Sequence, residues 1–157
     1  MALNTSHINK VLNGSSVTNR YFIGTFPSCE IEKLPKRTIY SFVTNTGDHL
    51  SSGVHWNAWF VRDNMLYFFD SFARSPLDKT FPHHYIDIVK KFKDFRYFDK
   101  QLQDFSSYTC GYFCIHFILN MSLGLDFVHF KSEYSRDLKE NDVIVLKTIK
   151  SLLYNIV

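Results

Sequence analysis

Four residues of this 157-residue chain could together carry out nucleophilic chemistry on an acyl group. In chain order they are His55, Asp70, Gln103 and Cys110. In such chemistry a thiolate attacks the carbonyl carbon, an imidazole moves the proton, and a carboxylate orients the imidazole. An amide N–H stabilises the negative oxygen that forms. These four residue types predict the site of a cysteine peptidase.

The position of Cys110 favours a reactive thiol. It follows a polar loop, residues 104–109, and begins an apolar stretch that predicts a buried helix. The first turn of a helix has unpaired N–H groups and the positive end of the helix dipole, which favour a thiolate. Gly111 is expected to let substrate backbone approach closely and to free an N–H for an oxyanion. The alternative, a buried core cysteine, fits Cys114 better than Cys110.

His55 and Asp70 are predicted at the same end of a β-hairpin. His55 begins a strand after a loop that contains Gly53, and Trp56 is expected to pack behind its ring. Asp70 ends the next strand, so a carboxylate there could accept a hydrogen bond from the imidazole and fix its tautomer. The alternatives are a histidine hydrogen-bonded in the core and an aspartate that only begins a turn.

Gln103 lies on the loop that leads to Cys110, seven residues before it. A side-chain amide there could donate to the oxyanion, an interaction worth about 3–4 kcal/mol in comparable sites. Gln101 competes for this role, and the residues alone do not separate the two. A metal site built from Cys110, Cys114 and His116 is disfavoured because the third residue points away from the shared helix face.

Local patterns predict an α+β fold in which a small antiparallel or mixed sheet packs on a central buried helix that carries the nucleophile at its N-terminus. Apolar periodicity predicts helices over 4–13, 83–93, 110–123 and 142–154, and strands over 39–44, 54–62, 65–70 and 96–98. Asp63-Asn64 predicts the turn of a hairpin. Residues 21–26 form a further short apolar stretch. No linker or repeat interrupts the chain, so a single domain over 1–157 is expected.

The composition is that of a globular protein, with 45% hydrophobic residues and 16 Phe. No apolar run approaches the roughly 20 residues that span a bilayer, and no signal peptide is evident, so an intracellular, soluble protein without a membrane partner is expected. A monomer is taken as the default oligomeric state. Three cysteines, Cys29, Cys110 and Cys114, are expected to be reduced thiols. The net charge of +3 permits binding to nucleic acid without predicting it.

Several segments resemble those of the adenovirus endopeptidase (adenain) family. They are Tyr-Phe-Ile-Gly-Thr-Phe at 21–26, Asn-Thr-Gly at 45–47, Gly-Val-His-Trp at 53–56, Phe-Asp-Ser-Phe at 69–72, and Cys-Gly-Tyr-Phe-Cys at 110–114 after Gln103. They occur in the family's order and at similar spacing over about two thirds of the chain. The histidine precedes the cysteine, which separates the chain from papain-type enzymes.

The resemblance implies the adenain fold, which SUMO-type peptidases share, and a viral maturation protease. Such an enzyme cuts capsid and core precursor proteins at small-residue, Gly-containing sites, in the nucleus or cytoplasm of the infected cell and in the virion. The resemblance implies that His55 is the base, Cys110 the nucleophile and Gln103, rather than Gln101, the oxyanion donor. Asp70 stands where adenoviruses have Glu and SUMO-type peptidases have Asp, so its role is expected to be kept.

The sequence departs from the family in two features. The adenoviral enzyme is activated by a viral peptide that is disulfide-linked to a cysteine upstream of the Gln, and no cysteine lies between Ala58 and Thr109 here. A non-covalent viral peptide, or none, is compatible with the sequence. DNA-assisted activation has weak support, since the main basic cluster is interpreted first as a solvated helix face; its members are Lys90, Lys91, Lys93, Arg96 and Lys100.

Two other functions are weighed against the viral protease. The same machinery could act on a ubiquitin-like protein, as in SUMO-type peptidases, but the short chain and the Gly-Val-His-Trp segment favour the viral branch. A binding module with a degenerate site is disfavoured because all four catalytic parts are present.

Overall fold

A computed structural model describes residues 1–28, 30–31, 33–47 and 55–156. Within these ranges helices and strands alternate in an α+β arrangement, as predicted. The helices are α1 (Thr5–Gly14), α2 (His84–Val89), α3 (Cys110–Ser122), α4 (Phe127–Ser132) and α5 (Leu138–Ile156). The strands are β1 (Phe22–Pro27), β2 (Ile39–Asn45), β3 (Trp56–Arg62), β4 (Met65–Phe69) and β5 (Asp94–Tyr97).

The strands form one mixed sheet in the order β1-β2-β3-β4-β5. The two inner pairings, β2 with β3 and β3 with β4, are antiparallel. The two outer pairings, β1 with β2 and β4 with β5, are parallel. The predicted α+β class with a small mixed sheet is therefore confirmed.

The β3–β4 hairpin turns at Asp63-Asn64, as predicted. Both residues have positive φ, 51° and 67°, which is the backbone of the tight turn that matches strand twist. Asp and Asn tolerate this conformation better than other non-glycine residues because their short polar side chains bond locally. The register runs from Arg62 opposite Met65 to Ala58 opposite Phe69. The residues just before Ala58 and just after Phe69 therefore lie close together, at the end of the hairpin away from the turn.

Helices cover both faces of the sheet. One face packs on α3, α1 and α5, and the other packs on α2. Alternate residues of β3 pack in the two cores, because successive side chains of a strand point to opposite faces. Phe60 packs on the α3 side and Trp59 on the α2 side. Burial on both sides explains why β3 is buried at six of its seven positions.

Helix α3 is the central buried helix that the sequence predicts. Twelve of its residues are buried, and it packs against β3 and α5. Its apolar side chains surround the helix instead of forming one stripe, which is typical of a helix enclosed by the protein. The prediction that Cys110 begins this helix is confirmed.

Several predicted boundaries are wrong. Helix α2 ends at Val89 instead of 93, so Lys90, Lys91 and Lys93 lie on the exposed turn before β5 and not on a helix face. Strand β5 begins two residues earlier than predicted, at Asp94. The apolar stretch 21–26 largely forms strand β1, which pairs through a parallel register that local patterns do not reveal.

The C-terminal region also differs from the prediction. Helix α4 was not predicted; it is a single short helix whose Asp126 cap accepts a hydrogen bond from the His129 N–H. Helix α5 begins four residues earlier than predicted. Val143, which the helical spacing placed on its apolar face, is 50% exposed, and Val145 is buried instead. No helix within the described ranges is long and apolar enough to cross a membrane.

Candidate active site

The structure brings His55, Asp70, Gln103 and Cys110 together at one end of the sheet. His55 directly precedes β3, Asp70 directly follows β4, and Cys110 is the first residue of α3. Gln103 lies on the segment between β5 and α3. A cavity of about 310 Å³, the acyl cavity, is lined by Ala2, Leu3, His55, Trp56, Phe72, Gln103, Phe105, Ser107, Tyr108 and Cys110.

The imidazole of His55 lies between the carboxylate and the thiol. Its Nε2 contacts Oδ1 of Asp70, and its ring lines the acyl cavity together with Cys110. Because Nε2 is engaged by the carboxylate, Nδ1 is the nitrogen left for the thiol. The ring stacked on the imidazole belongs to Phe72, at 5.2 Å between centroids and 21° between planes, and not to Trp56 as expected.

The surroundings of His55 favour its protonated form. Burial is the largest single influence and by itself lowers the pKa of the imidazole. Hydrogen bonds and charge interactions with Asp70 and Cys110 outweigh burial and raise the pKa from 6.5 to about 9. The ring is therefore an imidazolium at neutral pH, which is the form that can donate a proton to a leaving group.

Asp70 is fully buried and its carboxylate is held from several sides. Oδ1 accepts a hydrogen bond from Asn57 Nδ2 at 2.9 Å, and Oδ2 accepts one from Arg74 Nε at 2.9 Å and another from the Arg74 N–H at 3.1 Å. Burial would raise the pKa of this carboxyl, but hydrogen bonds from His55 and Arg74 outweigh it and lower the pKa to about 2. The group is an anion whenever the protein is folded near neutral pH.

Asn57 links Asp70 to the core between the sheet and α2. Its Oδ1 accepts a hydrogen bond from the Tyr85 hydroxyl at 2.7 Å, and that hydroxyl lies 2.8 Å from Thr44 Oγ1. Trp59 Nε1 donates to the same threonine oxygen at 2.9 Å. A buried network with every member bonded is rigid, so the position of the carboxylate is set from within the fold.

Gln103 is buried beside the nucleophile, with its amide held at both ends. Ser71 Oγ donates to its Oε1 at 2.5 Å, and its Nε2 donates to the Ser107 carbonyl at 3.1 Å. An amide nitrogen carries two N–H groups, so one is left to donate into the acyl cavity. Gln101 instead donates its Nε2 to the Gln103 carbonyl at 3.0 Å and does not line the acyl cavity.

The structure explains the glycine at position 111 by a different close contact from the one expected. A Cβ added there would lie 3.2 Å from both Leu3 Cβ and Trp56 Cδ1, so the chain's own side chains occupy the space that we assigned to substrate. Trp56 Nε1 donates to the Leu3 carbonyl at 3.1 Å. Trp56 therefore holds Leu3, which lines the acyl cavity together with Ala2.

Asp142 of α5 anchors the nucleophile loop, residues 104–109. Its Oδ1 accepts hydrogen bonds from Thr109 Oγ1 at 2.6 Å and from Ser107 Oγ at 3.2 Å. Partial burial is the main influence on this carboxyl and raises its pKa. Ser107 also accepts the hydrogen bond from Gln103, so one carboxylate on a distant helix supports both Cys110 and the amide.

Sequence reasoning missed the residues that support the four candidates. Asn57 was detectable, because it lies two residues after His55 on the same side of the strand. Phe72 and Arg74 closely follow Asp70, but their contacts depend on how the chain turns there. Asp142 lies 32 residues after Cys110 and left no local signal.

Cys114 and His116 also lie on α3, and the structure gives each its own environment. Cys114 is fully buried one turn into α3, and burial raises the pKa of its thiol. His116 contacts the Tyr134 hydroxyl through Nδ1 and Glu133 Oε2 at 2.8 Å through Nε2, so both ring nitrogens have protein partners. Within the described part of the chain no cluster of His, Cys, Asp and Glu could hold a metal ion. Gly53 and Cys29 lie outside the described residues.

Comparison with solved structures finds the same fold in other proteins. The chain matches the ASFV pS273R protease with a TM-score of 0.61 and 16% sequence identity, over 92% of this chain and 66% of that one. It matches ChlaDub1 from Chlamydia trachomatis with a TM-score of 0.69 and 13% identity, over 99% and 92% of the two chains. The chain thus spans just under two thirds of the ASFV protease. No protein-family model matches the chain, and no curated protein matches it by sequence. At these identities the likeness shows a shared fold.

Proposed function

We propose that this chain is a cysteine peptidase in which Cys110 is the nucleophile, His55 the acid–base group, Asp70 its orienting carboxylate and Gln103 the oxyanion donor. The observation that carries the proposal is the placement of His55 between the buried Asp70 carboxylate and the Cys110 thiol, beside a buried amide in one cavity. Buried charges are costly unless paired, so this pairing next to an open cavity favours catalysis over a structural role.

In the acylation step the sulfur of Cys110 attacks the carbonyl carbon of the scissile bond. A C–S bond forms and the carbonyl π electrons move to oxygen, where the second N–H of Gln103 donates a hydrogen bond. As the oxyanion collapses, the C–N bond breaks and the His55 imidazolium gives its proton to the departing amine nitrogen. The products of this step are a thioester on Cys110, a neutral imidazole and a free amine.

In the deacylation step a water molecule attacks the thioester. Neutral His55 takes a proton from that water as the C–O bond forms, and the C–S bond then breaks. The electrons of the C–S bond return to the Cys110 sulfur, the acid product leaves, and His55 retains the proton for the next cycle. Throughout the cycle Asp70 remains an anion and holds the ring so that one nitrogen faces the sulfur.

We further propose that the enzyme is a viral maturation protease of the adenain type. The support is the order and spacing of Gly-Val-His-Trp, Phe-Asp-Ser-Phe and Gln103 before Cys110, together with a fold shared with a viral protease. Its substrates would be viral precursor proteins cut at Gly-containing, small-residue sites, with the Gly directly before the cleaved bond, inside the infected cell or virion. It would need no activator, or a non-covalent viral peptide or DNA, and it would act as a monomer.

The test is selective labelling by a thiol-reactive peptide probe that ends in Gly-Gly or Gly-Ala-Gly, read by mass spectrometry. We expect modification at Cys110 that is lost in His55→Ala. Cys110→Ala should abolish peptide cleavage, whereas Cys114→Ala, one helical turn deeper, should retain it. Cleavage by Cys110→Ala at the wild-type rate would refute the assignment of the nucleophile.

The same assay separates the viral proposal from its rival. Labelling and cleavage are measured with and without DNA, and with linear peptides against a ubiquitin-like protein fused through its Gly-Gly tail. Faster cleavage of the linear peptides supports the viral maturation protease. Cleavage confined to the ubiquitin-like fusion would instead support a SUMO-type peptidase that uses the same residues.

A further inference from the structure

The rings of Phe72 and Phe105 form a stacked pair, the ring pair, beside His55. Phe72 follows β4, and Phe105 belongs to the nucleophile loop. Their rings are stacked at 5.0 Å and 17°, and Phe72 is stacked in turn on the imidazole of His55. Phe105 is 75% exposed, so a large apolar surface is held in place beside the acid–base group.

The ring pair borders two cavities that both reach His55. The first is the acyl cavity, which also contains Cys110 and Gln103. The second has a volume of about 500 Å³ and is lined by His55, Phe72, Arg74 and Phe105, without Cys110. We call it the leaving-side cavity.

The proposed reaction assigns one half of the substrate to each cavity. The acyl half must lie where the carbonyl carbon meets Cys110 and its oxygen meets Gln103. The amine half must lie against His55, because that ring supplies the proton to the departing nitrogen. The leaving-side cavity contacts His55 without the nucleophile, as the amine half requires.

We infer, on the basis of the proposed peptidase function, that the leaving-side cavity binds the side chain of the residue directly after the cleaved bond and prefers a large apolar or aromatic one. Three of the four described residues that line it carry rings, and the ring of Phe105 is largely exposed. Aromatic and long aliphatic side chains stack on such surfaces and bury apolar area there.

Arg74 does not turn this cavity into a site for acidic residues. Its guanidinium donates to Asp70 Oδ2 at 2.9 Å and to Thr80 Oγ1 at 3.0 Å, and it lies 4.2 Å above the ring of Phe81. Its charge thus shares the buried Asp70 carboxylate with His55. The planar group extends the flat wall of the cavity, and its donors are directed at Asp70 and Thr80.

The inference is tested with peptides that share one acyl half and differ only in the residue after the cleaved bond, which is Phe, Leu, Gly or Glu. We expect kcat/KM for Phe and Leu to exceed that for Gly by about tenfold or more, and Glu to gain nothing over Gly. A second measurement traps the thioester with Phe-amide or Gly-amide in competition with water. Phe-amide should be the better acceptor by a similar factor.

Three variants locate the preference. Phe105→Ala should reduce the Phe-to-Gly ratio towards one. Tyr108→Ala, which changes only the acyl cavity, should alter both peptides by the same factor. Val128→Ala, equally exposed at 75% but on α4, should leave both rates unchanged.

The outcomes separate this inference from the function on which it rests. Cleavage that depends on Cys110 but is indifferent to the residue after the bond would overturn the inference alone. A ratio preserved in Phe105→Ala would do the same. Absence of any Cys110-dependent cleavage or thioester would overturn both.

Discussion

Replacing Asp70 with Asn should lower the pKa of His55 and slow catalysis without unfolding the protein. The wild-type pKa of about 9, against the ordinary 6.5, corresponds to about 3 kcal/mol in favour of the protonated ring. The asparagine keeps the shape of the carboxyl but removes its charge. Burial lowers the pKa of His55, and fewer interactions then counteract it. We expect the pKa of His55 to fall by about 1 to 3 pH units.

The tautomer of His55 should change in the same variant. An asparagine amide can donate to Nε2, which would place the ring proton on Nδ1, the nitrogen that faces Cys110. A protonated Nδ1 cannot accept the thiol proton. In the comparable serine enzyme, loss of the charge lowers kcat by about 10⁴, and we expect at least a hundredfold loss here, with KM little changed.

Nuclear magnetic resonance measures the pKa directly, and kinetics measures its effect. The ring signals of the seven histidines are followed against pH, and His55 is assigned by comparison with His55→Ala. The alkaline limb of kcat/KM should move to lower pH by the same amount as the His55 titration. Asp87→Asn, an exposed residue of α2, is the matched control. An unchanged His55 pKa in Asp70→Asn would refute the role of Asp70.

The same pair makes stability depend on pH in a defined window. The pKa of His55 is raised on folding, so its contribution is complete below 6.5 and is lost as pH rises through about 9. The pKa of Asp70 is lowered, so its contribution is complete above 3.8 and is lost as pH falls towards about 2. The free-energy difference between wild type and Asp70→Asn should therefore be largest between 3.8 and 6.5, as measured by urea unfolding. The two effects describe one contact and are not added.

Two further variants test the support of the nucleophile. Gln103→Ala should lower kcat by about 10²–10³, since it removes the oxyanion donor; Gln101→Ala should cost less, and the reverse order would exchange their roles. Asp142→Ala should lower kcat about tenfold or more, because the loop that carries Cys110 loses its anchor; Val143→Ala, the half-exposed neighbour, is its control. Equal kcat in the two α5 variants would show that the anchor is not needed for catalysis.

Local chemistry determined the elements that the sequence predicts well. Asp63-Asn64 has the backbone tolerance that a tight hairpin turn requires, and 110–122 is apolar on every side, which only an enclosed helix can be. Because the turn set the register of β3 against β4, counting residues from it was enough to expect His55 and Asp70 at the same end. Strand β1 was not predicted as a strand because it pairs with β2 in parallel, and a parallel pair has no tight turn that marks it in the sequence. The length of α2 was overestimated because the helix ends at Val89 and residues 90–93 lead into β5.

The sequence by itself determined the types of group available for chemistry, their order, and the hairpin and helix that carry three of them. Only the tertiary structure decided how these groups are held. Arg74 and Asn57 donate hydrogen bonds to the carboxylate, and Phe72 packs on the imidazole. Asp142 binds the nucleophile loop from a helix that begins 28 residues after Cys110. The contacts of Asp70 and His55 depend on how the chain turns after β4 and on the pairing of β3 with β4. The contact of Asp142 joins residues far apart along the chain, and it exists because α3 and α5 pack together.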